Sequence, residues 1–188
     1  RFSGSEKEYD FIYVGATKYD GHFRRMLDHF MEAFRERSLL ILSKNYDRLS
    51  KRYQTKKNIV FAGPVLQAEV PAYIRRSRFA INFRPNIEPY KCQTSTKLLE
   101  YLACKIPVIT SDLAWVRQFQ QEYGGRYFYL KDDLTNFNWD RINQFDYEFP
   151  DLSELTWENQ IKRSGVLDFL SAKFPDTMVA GTISPYKS

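Results

Sequence analysis

Lys97 and Glu100 are the residues whose types and spacing carry the clearest chemistry in this sequence. The apolar pattern predicts a helix over 95–104, which places Lys97 in its first turn. The helix dipole disfavours a cation there, so this lysine indicates an anion such as a phosphate at the helix N-terminus. Glu100 lies one turn further along the same face, within reach of a ribose. The alternative interpretation is an exposed Lys–Glu pair on an ordinary helix. Three hydroxyl residues can cap the helix: Thr94, Ser95 and Thr96.

Strands alternate with helices along the chain, which predicts an α/β fold with a doubly wound, Rossmann-like parallel sheet. The predicted strands are Tyr9–Ala16, Leu39–Leu42, Asn58–Phe61, Phe79–Phe83, 106–110 and Arg126–Leu130. The predicted helices are Gly21–Arg37, Tyr46–Tyr53, Ala68–Arg76, 95–104, Asp112–Tyr123 and Leu152–Lys173. Residues 131–152 show neither the hydrophobic periodicity of a helix nor that of a strand. We therefore expect a linker over 1–8, one domain over 9–174, and a tail or crossover over 175–188.

In a doubly wound sheet, ligands bind outside the carboxyl ends of the strands. The prediction thus brings four loops to one edge: Gly15–Arg25, Ser43–Asn45, Ala62–Leu66 and Arg84–Lys97. Glycine permits close approach of the backbone to a ligand, and cations near the first helix supply positive charge. The candidate ligand-binding residues of the first and third loops are Gly15, Lys18, Arg24, Gly63, Pro64 and Val65.

Four segments in the expected order resemble the C-terminal half of GT-B glycosyltransferases. The segment TSTKLLEYLACKIPVITSD, residues 94–112, resembles the KLxEYxAxxxPVI donor-binding signature of enzymes that build bacterial surface polysaccharides. The segment FIYVG at 11–15 resembles the first strand and glycine turn of that half. NIVFAGPV at 58–65 and TWE at 156–158 resemble its next conserved loop and its closing helix. The resemblance spans about residues 10–173.

The resemblance implies a domain that binds a nucleotide-diphosphate sugar through its base, ribose and diphosphate. Gly63, Pro64 and Val65 would then read the base, and Glu100 would bind the ribose hydroxyls. Lys97 would be catalytic, because its charge offsets the negative charge that develops on the leaving diphosphate. No metal and no other cofactor are expected.

The resemblance and the first residue, Arg1, together predict a C-terminal half that is inactive alone. An N-terminal domain of the same protein would hold the acceptor. We expect a cytoplasmic protein of polysaccharide biosynthesis, with peripheral contact at the inner face of the membrane left open. Two alternatives also remain open: a nucleotide-sugar epimerase of the same architecture, and a non-catalytic nucleotide-binding module.

The sequence departs from the family in three places. In the first, Thr94, Ser95 and Thr96 stand where many members have a glycine-containing loop at the sugar and phosphates, so their hydroxyls and backbone amides are the candidate donor-binding groups there. Cys92 stands where many retaining members have a glutamate beside the transferred sugar. Ala16 and Gly21 occupy the places of the usual arginine and lysine after the first glycine turn. Phosphate binding therefore falls to other cations, of which Lys18 and Arg24 are the candidates.

Composition narrows the class of protein further. The 188 residues are 43% hydrophobic and 27% charged, which excludes wholesale disorder. A net charge of +5 suits an anionic ligand or membrane surface, but it is mild for a nucleic-acid binder, and we expect no nucleic acid as partner. Cys92 and Cys104 have neither metal-ligand spacing nor the pattern of a disulfide framework, which favours a reducing compartment.

Overall fold

Six parallel strands form one sheet in the computed structural model, which describes residues 7–17, 20–44, 47–53 and 55–174. The strand order is β3-β2-β1-β4-β5-β6, and each neighbouring pair is parallel. This order, in which the chain turns back at β1 and winds outward from β4, confirms the predicted doubly wound sheet. The strands are β1 Tyr9–Val14, β2 Leu39–Leu42, β3 Ile59–Phe61, β4 Ser77–Asn82, β5 Val108–Ser111 and β6 Phe128–Leu130.

Helices connect the strands and cover the sheet. Short 3-10 turns lie at Gln67–Glu69, Tyr90–Cys92 and Ser153–Leu155. The α-helices in the described part of the chain are α1 Asp20–Ala33, α2 Asp47–Tyr53, α3 Val70–Arg75, α4 Thr96–Ala103, α5 Ala114–Tyr123, α6 Trp139–Gln144, α7 Trp157–Arg163 and α8 Val166–Lys173.

Aromatic side chains fill the core between α1 and the sheet. Phe11 of β1 is fully buried, and its ring lies 5.0 Å from that of Phe34, which directly follows α1. Phe137, which precedes α6, closes the cluster at 4.7 Å from Phe34. Burying a phenylalanine side chain stabilises a fold by about 1.5–3 kcal/mol, so this cluster fixes α1 on the sheet. The predicted helix Gly21–Arg37 is too long at its C-terminus, since α1 ends at Ala33. Its predicted apolar residues are all buried, four on α1 and Phe34 directly after it: Phe23, Met26, Leu27, Phe30 and Phe34.

The last predicted helix, Leu152–Lys173, is not one continuous helix. The segment 152–173 contains a 3-10 turn and two helices, α7 and α8, that are separated at Gly165. Gly165 has a φ of +66°, a left-handed conformation that ends one helix and that glycine adopts without steric cost. Helix α6 lies within 131–152, where the sequence shows no period. Its N-terminus is capped by Asn138, whose side chain accepts a hydrogen bond from the backbone N–H of Arg141.

The described part of the chain forms two compact units, one within residues 1–150 and one within residues 151–188. The first contains the whole sheet and the predicted ligand-binding loops. The second contains α7 and α8. This division does not test the predicted domain boundaries at residues 9 and 174, which stay a prediction.

The strands β1 and β4 separate at their carboxyl ends, where the winding direction of the sheet changes. Their pairing extends to Ile12 and Ala80. Beyond that point, the hydroxyl of Tyr101 on α4 accepts a hydrogen bond from the N–H of Val14 (2.8 Å) and donates one to the carbonyl of Ile81 (3.4 Å). This hydroxyl therefore replaces a direct bond between the strands and opens a crevice between them.

Candidate functional site

A cavity of about 350 Å³ lies at the carboxyl edge of β1, β2 and β3. It brings together four of the predicted ligand-binding residues, which come from two separate loops: Gly15, Gly63, Pro64 and Val65. Lys44 and Gln67, which the sequence did not single out, also line it. Backbone atoms and apolar groups form much of this wall, as suits a flat, mostly apolar ring such as a nucleobase.

Gly15 brings the backbone close to the amine of Lys97. Its φ is +137°, a conformation that residues with a side chain rarely adopt. A Cβ atom at Gly15 would lie 3.7 Å from Nζ of Lys97. Glycine therefore leaves space above the lysine at the point where β1 ends.

Lys97 is buried in the crevice between β1 and β4. Its Nζ donates a hydrogen bond to the carbonyl of Phe83 (3.3 Å) and lies 4.2 Å from the centre of the Tyr13 ring. Among the described residues it has no carboxylate partner, and only 8% of the residue is exposed. The alternative of an exposed pair with Glu100 is therefore wrong.

The charge of Lys97 is destabilised by its surroundings. Burial, and then the nearby Arg84 guanidinium, lower the pKa of Lys97 from 10.5 to about 7. A cation that is buried without a counter-charge gains strongly from an anion placed beside it. The crevice is thus prepared for a negatively charged ligand group.

Glu100 lies half-buried beside the first cavity. One of its carboxylate oxygens accepts a hydrogen bond from Nε2 of Gln67 (3.1 Å), and Gln67 itself lines the cavity. A carboxylate in this position can accept further hydrogen bonds from two neighbouring hydroxyl groups.

The three hydroxyl residues before Lys97 have different surroundings. Ser95 occupies the N-cap position of α4, but its side chain makes no capping bond. Instead its hydroxyl is buried and donates to Oδ1 of Asn82 on β4 (2.7 Å), while Nδ2 of Asn82 donates to the hydroxyl of Thr110 on β5 (2.9 Å). Thr94 and Thr96 are exposed. The prediction that the Ser95 side chain caps α4 is therefore wrong. Its hydrogen bond to Asn82 fastens the start of α4 to the sheet instead.

A second cavity, of about 250 Å³, lies at the carboxyl edge of β4, β5 and β6. Its charged lining comes from α1 and from the loops after β4 and β6: His22, Arg25, Arg84, Lys131 and Asp132. The predicted Arg24 is exposed on α1 and lines neither cavity. Lys18 lies outside the described residues.

The sequence prediction missed Gln67, Arg84, Asn82 and Tyr101. Arg84 directly follows the predicted strand Phe79–Phe83, a position at the ligand edge of a doubly wound sheet, so its signal was present. Gln67 could not be identified, because its link to Glu100 joins residues 33 positions apart. Within the described ranges, no group of three His, Cys, Asp or Glu residues could hold a metal ion.

Comparisons with known proteins agree with this architecture. The family described as "Glycosyl transferases group 1" matches residues 8–136, which is more than half of the chain. AviGT4, a glycosyltransferase involved in avilamycin A biosynthesis, matches with 12% identity and a TM-score of 0.61, covering 88% of this chain and 51% of that one. The UDP-GlcNAc 2-epimerase of Methanocaldococcus jannaschii, solved with UDP-GlcNAc and UDP, matches with 13% identity and a TM-score of 0.58, covering 85% and 45%.

A third structure, Alr3699/HepE of Anabaena with UDP and glucose, matches with 13% identity and a TM-score of 0.50, covering 88% of this chain and 45% of that one. At such identities the likeness shows the fold alone. The chain spans about half the length of these structures. No curated protein sequence matches it significantly. In the part of the chain that the structure describes, no helix has the length and apolar character needed to cross a bilayer.

Proposed function

The chain belongs to the glycosyl transferases group 1 family, and we propose that it binds the nucleotide-diphosphate sugar that a glycosyltransferase uses as donor. The observation that carries this proposal is Lys97. It is a buried amine without a carboxylate partner among the described residues, in the crevice between β1 and β4 and next to the first cavity. In doubly wound folds this crevice is where nucleotides bind.

Each part of the donor has a matching part of the site. The base occupies the first cavity, where Gly63, Pro64 and Val65 bound it. The ribose hydroxyls donate to Glu100, which Gln67 holds beside the cavity. The diphosphate lies over Gly15 and Lys97 at the start of α4, where Thr94, Ser95 and Thr96 contribute backbone amides and the positive end of the helix dipole.

Lys97 takes the catalytic role in this proposal. The leaving diphosphate gains negative charge as its bond to the sugar breaks, and a buried ammonium stabilises that charge more strongly than an exposed one. The phosphates restore the proton to Lys97, because a neighbouring anion raises the pKa of an amine. No metal is required for this step, since the protein supplies the positive charge.

The whole reaction needs a second domain in this proposal. The chain covers about half of each similar structure, and the acceptor would bind to the remaining half of a longer protein. Residues 9–174 would form the donor domain, inactive alone, of a cytoplasmic enzyme of polysaccharide biosynthesis. Peripheral contact with the membrane would bring such an enzyme to a lipid-linked acceptor.

Isothermal titration with nucleoside diphosphates tests donor binding. UDP is the first probe, because two of the similar structures are described as complexes with UDP; GDP, ADP and TDP follow. We expect one of them to bind, and Lys97→Met to weaken the diphosphate far more than the matching nucleoside. Lys57→Met, at an exposed lysine outside both cavities, is the matched control. Equal losses for diphosphate and nucleoside would contradict the assignment of Lys97.

A nucleotide-sugar epimerase is the second candidate, favoured by the match to the Methanocaldococcus jannaschii enzyme. An epimerase converts its substrate without an acceptor. Incubation of the full-length protein with UDP-GlcNAc alone, followed by NMR of the sugar protons, separates the two functions. Conversion to an epimer supports this candidate, whereas transfer only in the presence of an acceptor supports the transferase. Binding without either reaction would indicate a non-catalytic nucleotide-binding module.

A further inference from the structure

The second cavity collects two arginines and a lysine that form no ion pair with a described carboxylate. Nη2 of Arg25 donates to the backbone carbonyl of Asp132 (2.7 Å), and Nη1 of Arg84 donates to the backbone carbonyls of Gln93 (3.4 Å) and Thr94 (3.3 Å). Neither arginine forms an ion pair with a described carboxylate, and neither does Lys131. Several other arginines of the same unit do have carboxylate partners; Arg117, for example, donates to both carboxylate oxygens of Asp112.

The geometry of Arg25 leaves its guanidinium free to bind a ligand. One of its five N–H groups is used by the carbonyl of Asp132, which orients the side chain toward the cavity. The remaining N–H groups match the paired oxygens of a carboxylate or a phosphate. Lys131 lines the same cavity and adds to the positive potential there. Asp132 carries the one carboxylate among the described lining residues.

Lys97 connects the two cavities. Its Nζ lies 3.3 Å from the carbonyl of Phe83, a residue of the second cavity, and 3.7 Å from the Cβ position of Gly15, a residue of the first. A diphosphate that binds at Lys97 therefore has the base cavity on one side and the positive cavity on the other. The transferred sugar next to the diphosphate, or the acceptor that attacks the anomeric carbon of this sugar as its bond to the diphosphate breaks, would then lie within reach of the second cavity.

We propose that the second cavity binds a carboxylate or phosphate group distinct from the donor diphosphate, carried either by the transferred sugar or by the acceptor. This proposal rests on the proposed function, because a transferase brings both groups to this edge of the sheet. A neutral sugar would leave the cations of this cavity unpaired, whereas a uronic acid or a sugar phosphate would pair with them.

Two titrations distinguish the sources of the anion. In the first, the affinity of UDP-glucuronic acid is compared with that of UDP-glucose. In the second, glucose 1-phosphate is titrated into protein saturated with UDP. Each is repeated with the double variant Arg25→Gln/Lys131→Gln and with a control of equal charge change, Lys56→Gln/Lys57→Gln. The control residues are exposed and line neither cavity.

If the donor sugar carries the anion, UDP-glucuronic acid binds the wild type about three- to tenfold more tightly than UDP-glucose at low salt. If the acceptor carries it, glucose 1-phosphate binds the UDP complex. In either case the cavity variant loses the tighter binding of the anionic ligand, and the control variant keeps it. Higher salt weakens this binding, because the cationic side chains are exposed. The proposal is overturned if neither probe distinguishes the cavity variant from the control.

Failure of UDP to bind would contradict the use of UDP as donor without deciding this proposal. Titration of glucose 1-phosphate into the ligand-free chain then replaces the titration into the UDP complex. Binding that depends on Arg25 and Lys131 supports the anion site, and binding that is absent or independent of both residues overturns it. Circular dichroism of each variant verifies that the exposed substitutions leave the fold intact.

Discussion

Donor binding is predicted to take up a proton at Lys97. The pKa of this amine is about 7 in the free protein, because burial and Arg84 oppose its charge. At pH 8 it is therefore neutral in about nine molecules of ten. A diphosphate beside Nζ favours the ammonium and raises its pKa toward 10.5, the usual value for lysine.

The size of the effect follows from linkage. Binding takes up about 0.9 of a proton at pH 8, about half a proton at pH 7 and about 0.1 at pH 6. Affinity then falls roughly tenfold for each pH unit above about 8, up to the pKa of the complex. A nucleotide sugar is the right ligand, because its diphosphate is esterified at both ends and does not titrate in this range.

Isothermal titration in buffers with different heats of ionisation measures the uptake directly. Lys97→Met should bind weakly, with no proton uptake and no dependence on pH between about 6 and 9. Wild-type binding at pH 8 without proton uptake, or equal uptake by the Lys97→Met variant, would refute the reasoning. Absence of any binding would instead count against the proposed donor.

The same substitution should stabilise the ligand-free fold. The unfolded chain holds the proton of Lys97 up to its ordinary pKa of 10.5, whereas the folded chain releases it near 7. Between these values the unfolded state binds more protons, so the free energy of unfolding rises with pH. Below about 7 the wild type bears the whole cost of burying the ammonium. Lys97→Met should therefore raise the melting temperature more at pH 6 than at pH 9.

Three further predictions concern neighbouring residues. Glu100→Gln should weaken nucleoside diphosphate binding by about 1.5–3 kcal/mol and abolish discrimination against the 2′-deoxy form of the ligand. Titration of both ligands into the wild type and the variant measures this. Equal affinities of both proteins for both ligands would remove Glu100 from the site. Tyr101→Phe should destabilise the fold by about 1–3 kcal/mol in urea unfolding, because the N–H of Val14 loses its partner; unchanged stability would show that a water replaces the hydroxyl. Cys92→Ser should leave the turnover of the proposed transferase nearly unchanged, since this exposed thiol has no described histidine as base. A loss of turnover with normal donor affinity would make Cys92 catalytic.

The sequence predicted the parts of the site that depend on strand order. Alternating strands and helices bring the ends of parallel strands to one edge, so the loops with Gly15 and with Gly63–Val65 meet there. The bounds of β2 were predicted correctly because four consecutive apolar residues, Leu39–Leu42, form a strand that is buried on both faces. Gly15 and Gly63 were identified because glycine tolerates the positive φ that both adopt.

The remaining features depend on contacts that no local pattern records. Ser95 has the sequence signature of a helix cap, yet a partner 13 positions earlier, Asn82, takes its hydroxyl. The cap and the cross-link use the same side chain, and only the packing of α4 against the sheet decides between them. The break at Gly165 was missed for a different reason: the apolar residues on both sides of it also fit one continuous helix.

Helix α4 combines three functions that its sequence spacing makes possible. Ser95 fastens its first turn to β4, Lys97 places a charge in the crevice, and Tyr101 holds the strands apart. Lys97 and Tyr101 are four residues apart, so they lie one above the other on the same helix face. We therefore expect the crevice that this hydroxyl opens to influence how deeply the ammonium is buried. Since that depth lowers the pKa of Lys97, a change at Tyr101 that lets β1 and β4 pair more closely should alter both the proton uptake and the donor affinity.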